Sequence, residues 1–233
     1  MGAKLGGRIG KRFGAAKPPG RVRATFEGTA GQSFGAFLAA GVEFTLAGEA
    51  NDYVGKGMSG GRIVVKPPPD DAGDPVLLGN TVLYGATGGE LYCAGRTGER
   101  FAVRMSGATA VVEGTGGHPF EYMTSGTVVV LGETGPNLGA GMSGGEAFVY
   151  DPHGRLPVRL NDQLVAAGRL EDEAAKRLRA LVERHHRFTG SRRAAELLRG
   201  WSEAVELFWH IVPKTEVARI ASVQEGTVAS GKA

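Results

Sequence analysis

Short apolar runs recur along the first two-thirds of the chain, and each is entered through a glycine-rich corner. Val22-Arg23-Ala24-Thr25-Phe26 and Val42-Glu43-Phe44-Thr45-Leu46 alternate apolar and polar residues, the pattern of half-buried strands. Ser33 to Leu38 and Arg62-Ile63-Val64-Val65 are further runs, and from Thr81 the rhythm predicts strands at 81–84, 91–93, 101–105, 109–113, 127–131 and 146–150. Around Asp151-Pro152-His153-Gly154 the period changes. Leu170, Ala174, Leu178, Leu181 and His185 recur at helical spacing. Ser191 is placed to cap a second helix whose face runs Ala194, Leu197, Trp201, Val205, Phe208 and Val212, with Pro213 as its stop.

The corners repeat as well. Gly55-Lys56-Gly57-Met58-Ser59-Gly60-Gly61 returns as Gly139-Ala140-Gly141-Met142-Ser143-Gly144-Gly145, each time ahead of an apolar strand. Weaker copies lie at Gly85 to Gly89, Gly95 to Gly98 and Met123 to Gly126. Repeated corner-plus-strand units predict stacked coils that bury a shared interior. The corners hold paired glycines rather than hairpin dipeptides, which favours a solenoid over a barrel or sandwich. Residues 25–153 are therefore read as a right-handed parallel β-helix, an all-β main domain. Residues 1–24 form a basic arm, 154–221 a helical C-terminal segment covering an end or flank, and 222–233 a Ser/Gly/Ala/Lys-rich tail read as disordered. Both corner copies also satisfy G-x-G-x-x-G. A dinucleotide site needs a helix after those glycines, and here a short β-branched run follows, closed after the first copy by Pro67-Pro68-Pro69. Gly55, Gly57, Gly60, Gly61, Gly139, Gly141, Gly144 and Gly145 are read as structural, in left-handed or crowded backbone where a Cβ would clash.

Composition narrows the function classes. Cys93 is the only cysteine, so an internal disulfide and a multi-cysteine metal or iron–sulfur site are excluded, and a reducing, cytoplasmic compartment is expected. No apolar run reaches membrane-spanning length. Lys and Arg exceed Asp and Glu by three, too little to argue for nucleic acid. The arm carries Lys4, Arg8, Lys11, Arg12, Lys17, Arg21 and Arg23 with Phe13 as its lone aromatic, a solvated stretch rather than a base-stacking platform.

Three segments carry a family resemblance: Gly31-Gln32-Ser33-Phe34-Gly35-Ala36-Phe37, Gly48-Glu49-Ala50-Asn51-Asp52-Tyr53-Val54-Gly55-Lys56-Gly57-Met58-Ser59-Gly60-Gly61, and Gly79-Asn80-Thr81-Val82-Leu83-Tyr84-Gly85-Ala86-Thr87-Gly88-Gly89. Together with Asn137 to Gly145, Thr189-Gly190-Ser191 and Phe208 to Pro213, they resemble the C-terminal glycine-repeat domain of the glutamate synthase large subunit across about residues 2–213. The resemblance implies a right-handed β-helix of structural role, packed between a glutamine amidotransferase domain and an FMN-binding synthase domain. It implies no cofactor in this chain, with FMN and an iron–sulfur cluster in partner chains, and it leaves a homo-oligomer open. A β-helix subunit of formylmethanofuran dehydrogenase is similar more weakly. The family's N-terminal cysteine nucleophile has no counterpart in Met1-Gly2, so the chain reads as a scaffold, either a stand-alone subunit or an excised piece.

Other chemistry is less well supported. Cys93 sits in an apolar strand, the Gly-flanked serines Ser33, Ser59 and Ser143 lack a nucleophile elbow, and the histidines have no metal-ligand spacing. Glu49, Asp52, Glu113 and Glu121 are candidate carboxylate pairs for an autonomous β-helical carbohydrate-active enzyme, one alternative reading; the other is a scaffold subunit of a different redox complex, such as formylmethanofuran dehydrogenase. The best functional patch is Gln32, Glu49, Asn51, Asp52, Tyr53 and Lys56, which either completes a difficult corner or touches a partner domain.

Overall fold

The computed structural model describes residues 2–14, 16, 18–68 and 73–217. The tail expected at 222–233, and Pro69 of the proline run, lie outside the described residues. In chain order the elements are α1 (Ala3–Phe13), β1 (Val22–Thr29), β2 (Val42–Glu49), β3 (Ser59–Lys66), β4 (Val76–Leu78), β5 (Gly88–Thr97), β6 (Ser106–Gly114), β7 (Ser125–Val130) and β8 (Glu146–Tyr150). They continue with α2 (Leu156–Arg159), β9 (Val165–Gly168), α3 (Asp172–Thr189), α4 (Arg192–Arg199), α5 (Trp201–Ala204) and β10 (Phe208–Pro213).

β1, β2, β3, β5, β6, β7 and β8 pair in that order, every pair parallel, so each coil lays one strand on the last. The result is a parallel β-solenoid of about 7 turns. Strand alternation turns the coils into rows. Ala24, Phe44, Ile63, Leu91, Ala110, Val128 and Ala147 form one inward row, and Phe26, Leu46, Val65, Cys93, Val112, Val130 and Val149 form the next. From β2 onward these side chains are buried in one continuous core. Each buried Val, Leu or Ile contributes about 1.5–3 kcal/mol, and none of that is available to an isolated coil.

The outward rows explain the helices. Thr25 and Thr45 begin a row that becomes Val64, Tyr92, Val111, Val129 and Phe148. The apolar part of that row is where α3 and α4 land: Ala174, Leu178, Val182, Ala194 and Leu197 close over Tyr92, Val111, Val129 and Phe148. The neighbouring outward row is Arg23, Glu43, Arg62, Glu90, Thr109, Thr127 and Glu146. α3 clips onto it through Arg184 to Glu90 and through Arg177 to Glu146 at 2.9 Å.

Several segments differ from the sequence pattern. Residues 81–84 and 101–105 are not strands but turns, although Val82, Leu83, Phe101, Ala102, Val103 and Met105 are buried as their apolar character demands. Apolar runs report burial, and here the burial is achieved by a coiled backbone rather than an extended one. Phe208 to Pro213 is not the end of a helix. Gly200 interrupts the helical run, and the aromatic and β-branched segment that follows pairs antiparallel with β8. β9 pairs antiparallel with β10, so the last coil is closed by two reversed strands. The basic stretch 1–24 contains α1 and the start of β1. Leu5 and Ile9 of α1 pack against the core, and a Cβ on Gly6 would strike the Phe37 carbonyl, so the missing side chain lets the helix seat there. The segment 67–79 includes β4, which pairs with β5.

Candidate functional site

Opposite the sheet, each coil turns through residues in which positive φ recurs at every second position. Positive φ occurs in three stacked columns. The first is Ser33, Tyr53, Thr81, Arg100, His118 and Asn137; the second is Gly35, Gly55, Leu83, Ala102, Phe120 and Gly139; the third is Phe37, Gly57, Gly85, Arg104, Tyr122 and Gly141. Twelve non-glycine residues among those described have positive φ. At about 1–2 kcal/mol each, that strain rivals a domain's whole net stability of about 5–15 kcal/mol. Hydrogen bonds between coils offset it. The first column donates forward, as in Tyr53 N–H to the Asn80 carbonyl at 2.9 Å, and the second donates back, as in Leu83 N–H to the Val54 carbonyl at 2.8 Å. This turn wall is a cooperative backbone lattice.

The predicted patch lies on this wall and on the corner leading into it. Asp52 is half-buried, and its Oδ1 accepts from Asn80 N–H at 2.7 Å; Asn80 Oδ1 in turn accepts from Glu99 N–H at 2.8 Å. Those two side chains close corners, so the local role of Asp52 is visible. Glu49 accepts from the Thr29 hydroxyl at 3.2 Å. Gln32 and Asn51 are exposed. Tyr53 and Lys56 leave the corner and face outward. The Lys56 ammonium lies 5.2 Å from the Tyr53 ring centre and 5.9 Å from that of Tyr84. The two rings meet edge-on at 6.5 Å.

Two more aromatics on the same wall escaped the sequence reading. Phe37 and Tyr122 are each 53% exposed. A Cβ on Gly57 would press into the Phe37 ring at 2.7 Å, and one on Gly141 into the Tyr122 ring at 2.5 Å, so each ring lies against the glycine of the next coil. Arg104 stands 5.8 Å from the Tyr122 ring. The clue was the period: Phe37, Gly57, Arg104, Tyr122 and Gly141 hold one position of the repeat. Of the eight structural glycines, Gly55, Gly57, Gly61, Gly139, Gly141 and Gly145 have positive φ. Gly60 and Gly144 are needed for space instead, since their Cβ atoms would meet the Ala40 amide and the Thr124 carbonyl.

The groups with intrinsic chemistry are spent elsewhere. Cys93 is inside the core, and burial pushes its thiol pKa up, so the thiolate that would bind metal or attack a substrate is suppressed. Glu113, His185 and Ser191 converge beneath α3 and α4, an arrangement the sequence did not announce. Ser191 donates its hydroxyl to Glu113 Oε1 while accepting from Ala194 N–H at 2.9 Å as the cap of α4. His185 Nε2 faces the same carboxylate oxygen at 3.4 Å. Burial alone would raise the Glu113 pKa, but the His185 and Ser191 hydrogen bonds and the Arg193 charge outweigh it and bring it below the ordinary value. Burial holds His185 neutral, and its Nδ1 has no partner. The serine bonds to the carboxylate and not to the imidazole, and that carboxylate, shared with His185 and Arg193 and held below its ordinary pKa, is a weak base toward it. Glu146 is a second such post, held by His210 and Arg177 both at 2.9 Å; these outweigh its burial and lower its pKa to about 2. The candidate carboxylates are not paired with one another. Glu49 meets Thr29, Asp52 meets Asn80, Glu113 meets Ser191, and Glu121 meets His118 and Arg100 at 3.0 and 3.1 Å. Among the described residues no three His, Cys, Asp or Glu side chains converge in a metal-binding group.

A glycine-repeat solenoid with this lattice defines a recognisable class. Residues 1–214 match the model of the GXGXG motif family, and the chain belongs to that family. It is 50% identical over 220 residues to a ferredoxin-dependent glutamate synthase of Cyanidium caldarium, and 47% identical over 220 residues to ferredoxin-dependent glutamate synthase 2 of a Synechocystis strain. Each match covers 93% of this chain and 14% of the relative. The large chain of an NADPH glutamate synthase of Azospirillum brasilense is 48% identical over 225 residues, 94% of this chain and 15% of its own length. The chain thus spans about a seventh of the relatives it matches, and corresponds to a C-terminal portion of the large subunit. No helix among the described residues is long and apolar enough to cross a membrane.

Proposed function

We propose that this chain is the non-catalytic scaffold of a glutamate synthase assembly, holding a glutamine amidotransferase part and an FMN-dependent synthase part in fixed register. One observation carries the reading: the reactive groups Cys93, His185, Ser191 and Glu113 are committed to the core or to fastening α3 and α4, while the stiff turn wall presents aromatic and cationic side chains outward. In that assembly ammonia freed from glutamine reaches 2-oxoglutarate without crossing solvent, and a rigid spacer sets the separation of the two sites. Positioning of this kind controls rate without contributing a reacting group. The flavin and the iron–sulfur cluster belong to the other parts. This chain's donor set does not fit a cluster, because its one thiol is protonated and enclosed. A reducing compartment, bacterial cytoplasm or plastid stroma, suits the same free thiol.

The test is reconstitution. The chain, added to the amidotransferase and synthase parts, restores glutamine-dependent glutamate formation and copurifies with them. Tyr53→Ala with Lys56→Glu weakens association at least tenfold and lowers glutamine-dependent turnover more than ammonia-dependent turnover, with the melting temperature of the chain unchanged. Turnover or bound flavin in the isolated chain would overturn the scaffold assignment.

A further inference from the structure

The two ends of the solenoid are finished differently. The last coil is sealed by β10 and β9, whereas β1 has β2 as its only strand partner among the described residues. Val22 N–H donates to the Gly41 carbonyl at 2.8 Å and Ala30 N–H to the Glu49 carbonyl at 2.9 Å. Even-numbered residues of β1 therefore direct their backbone groups at β2, and those of Arg23, Thr25 and Glu27 point to the open side. Val22 is 43% exposed at this edge, and Phe26, in edge-on contact with Phe34 and Phe44 at 5.3 and 5.2 Å, is only half-buried. Gly6 of α1 and Gly2 just before it approach the backbone of residues 35–37, on the turn wall, and Arg23, Thr25 and Glu27 of β1 remain exposed.

From the charge order of this edge we infer that β1 is a self-pairing strand: two copies of the chain join antiparallel through β1, about a twofold axis at Thr25. In that register Thr25 faces Thr25 of the second copy, and Arg23 faces Glu27 twice. These are the residues whose outward N–H and C=O groups exchange both hydrogen bonds of an antiparallel pair. On the inward face Ala24 meets Phe26, a small residue against a large one, and the half-buried Phe26 gains cover. Arg23 already leans on Glu43 at 2.9 Å, while Glu27 has no ion pair among the described residues and receives one from the second copy. Registers centred on Arg23 or Glu27 set like charges opposite, which is unfavourable. A second copy is thus the occupant whose charges fit, and the two solenoids then share one continuous sheet. This inference is independent of the scaffold reading.

Sedimentation of the 233-residue chain tests it. A concentration-dependent dimer of twice 24.3 kDa is expected. Thr25→Pro removes the central outward N–H at an edge position that tolerates proline, and Glu27→Lys sets a lysine against Arg23 of the other copy. Each raises the dimer dissociation constant at least tenfold, with circular dichroism and melting temperature of the monomer retained. Arg23→Glu combined with Glu27→Lys reverses both charges and restores the dimer. A chain monomeric at every concentration overturns the inference. So does a dimer indifferent to Thr25→Pro and Glu27→Lys, or an edge protected from hydrogen exchange only when a different polypeptide is supplied.

Discussion

The sheet wall and the turn wall belong to the same coils, yet they accept different side chains. On the sheet wall each row position is filled by whatever apolar residue suits the local width, from Ala24 and Ala110 to Phe44 and Leu91. At those row positions the backbone is extended, which any residue adopts, and packing decides the choice. On the turn wall the backbone is the scarce resource. Left-handed residues recur in all three columns, coil backbones press on one another, and several positions admit no Cβ at all. One wall is selected by volume and the other by conformation, and the outward chemistry of each follows. The sheet wall supplies charged rows for α3 to grip, and the turn wall supplies aromatic rings lying on glycines.

The sharpest way to break the turn wall is Gly144→Val. Gly144 does not have positive φ, so the cost is collision with the Thr124 carbonyl of the preceding coil rather than backbone strain. A loss of about 3 kcal/mol or more is expected from urea unfolding, with the chain failing to fold as the severe outcome. Gly10→Ala in α1, where nothing lies within 4 Å, is the control and stabilises by up to about 1 kcal/mol.

The sheet wall breaks at its fasteners. Glu113→Ala leaves Ser191 and Arg193 without their carboxylate beneath α4, at an expected cost of about 2–3 kcal/mol. Arg193 retains Asp74 at 3.3 Å, which limits the damage. Acid attacks the same posts. Glu113 and Glu146 have lower pKa values folded than unfolded, so the unfolded chain binds more protons as pH falls. Their stabilisation is complete above the ordinary carboxylate value of 4.5 and drains below it, for Glu146 down to about 2. His185, held neutral by burial, adds a penalty of the same sign as pH drops below 6.5. Melting temperature should therefore fall steadily from neutral pH into acid. Glu146→Gln should flatten the part between pH 4.5 and 2 by about 1–2 kcal/mol, a figure reduced for its partial exposure.

How much of this was legible in the sequence divides along the same two walls. The strands of the sheet wall follow from apolar–polar alternation, and Val42 to Leu46 matches β2 because alternation and extended backbone coincide there. Residues 81–84 and 101–105 carry equally good apolar runs, but their burial comes from turns with positive φ at every second position, which no standard periodicity encodes. The repeated Gly-x-Gly spacing marked where the turn wall lies without stating that Phe120 or Leu83 would adopt the same backbone as glycine. Tyr53 and Lys56 were found because they sit in a polar cluster close in sequence. Phe37 and Tyr122 were missed because their kinship is one of column position, separated by four coils. The Glu113 post was hidden for a similar reason: its partners Ser191 and His185 lie more than seventy residues away on helices whose landing site depends on the finished sheet.

The finest test applies one substitution to both walls. Ser33 has φ 57° on the turn wall, and no side-chain hydrogen bond is tied to its hydroxyl among the described residues. Thr45 is in the middle of β2, outward between Thr25 and Val64. Ser33→Gly removes a left-handed penalty of about 1–2 kcal/mol and adds unfolded-state freedom worth about 1 kcal/mol, so it should be neutral to stabilising by up to about 1 kcal/mol. Thr45→Gly removes a β-branched residue from a strand and adds the same freedom with nothing returned, so it should destabilise by about 1 kcal/mol. Both values come from paired urea unfolding curves at equal slope. Opposite signs would establish that backbone conformation governs one wall and side-chain fit the other. Equal losses would mean that Ser33 is held by packing, and that the left-handed columns are as tolerant of side chains as the strands they face.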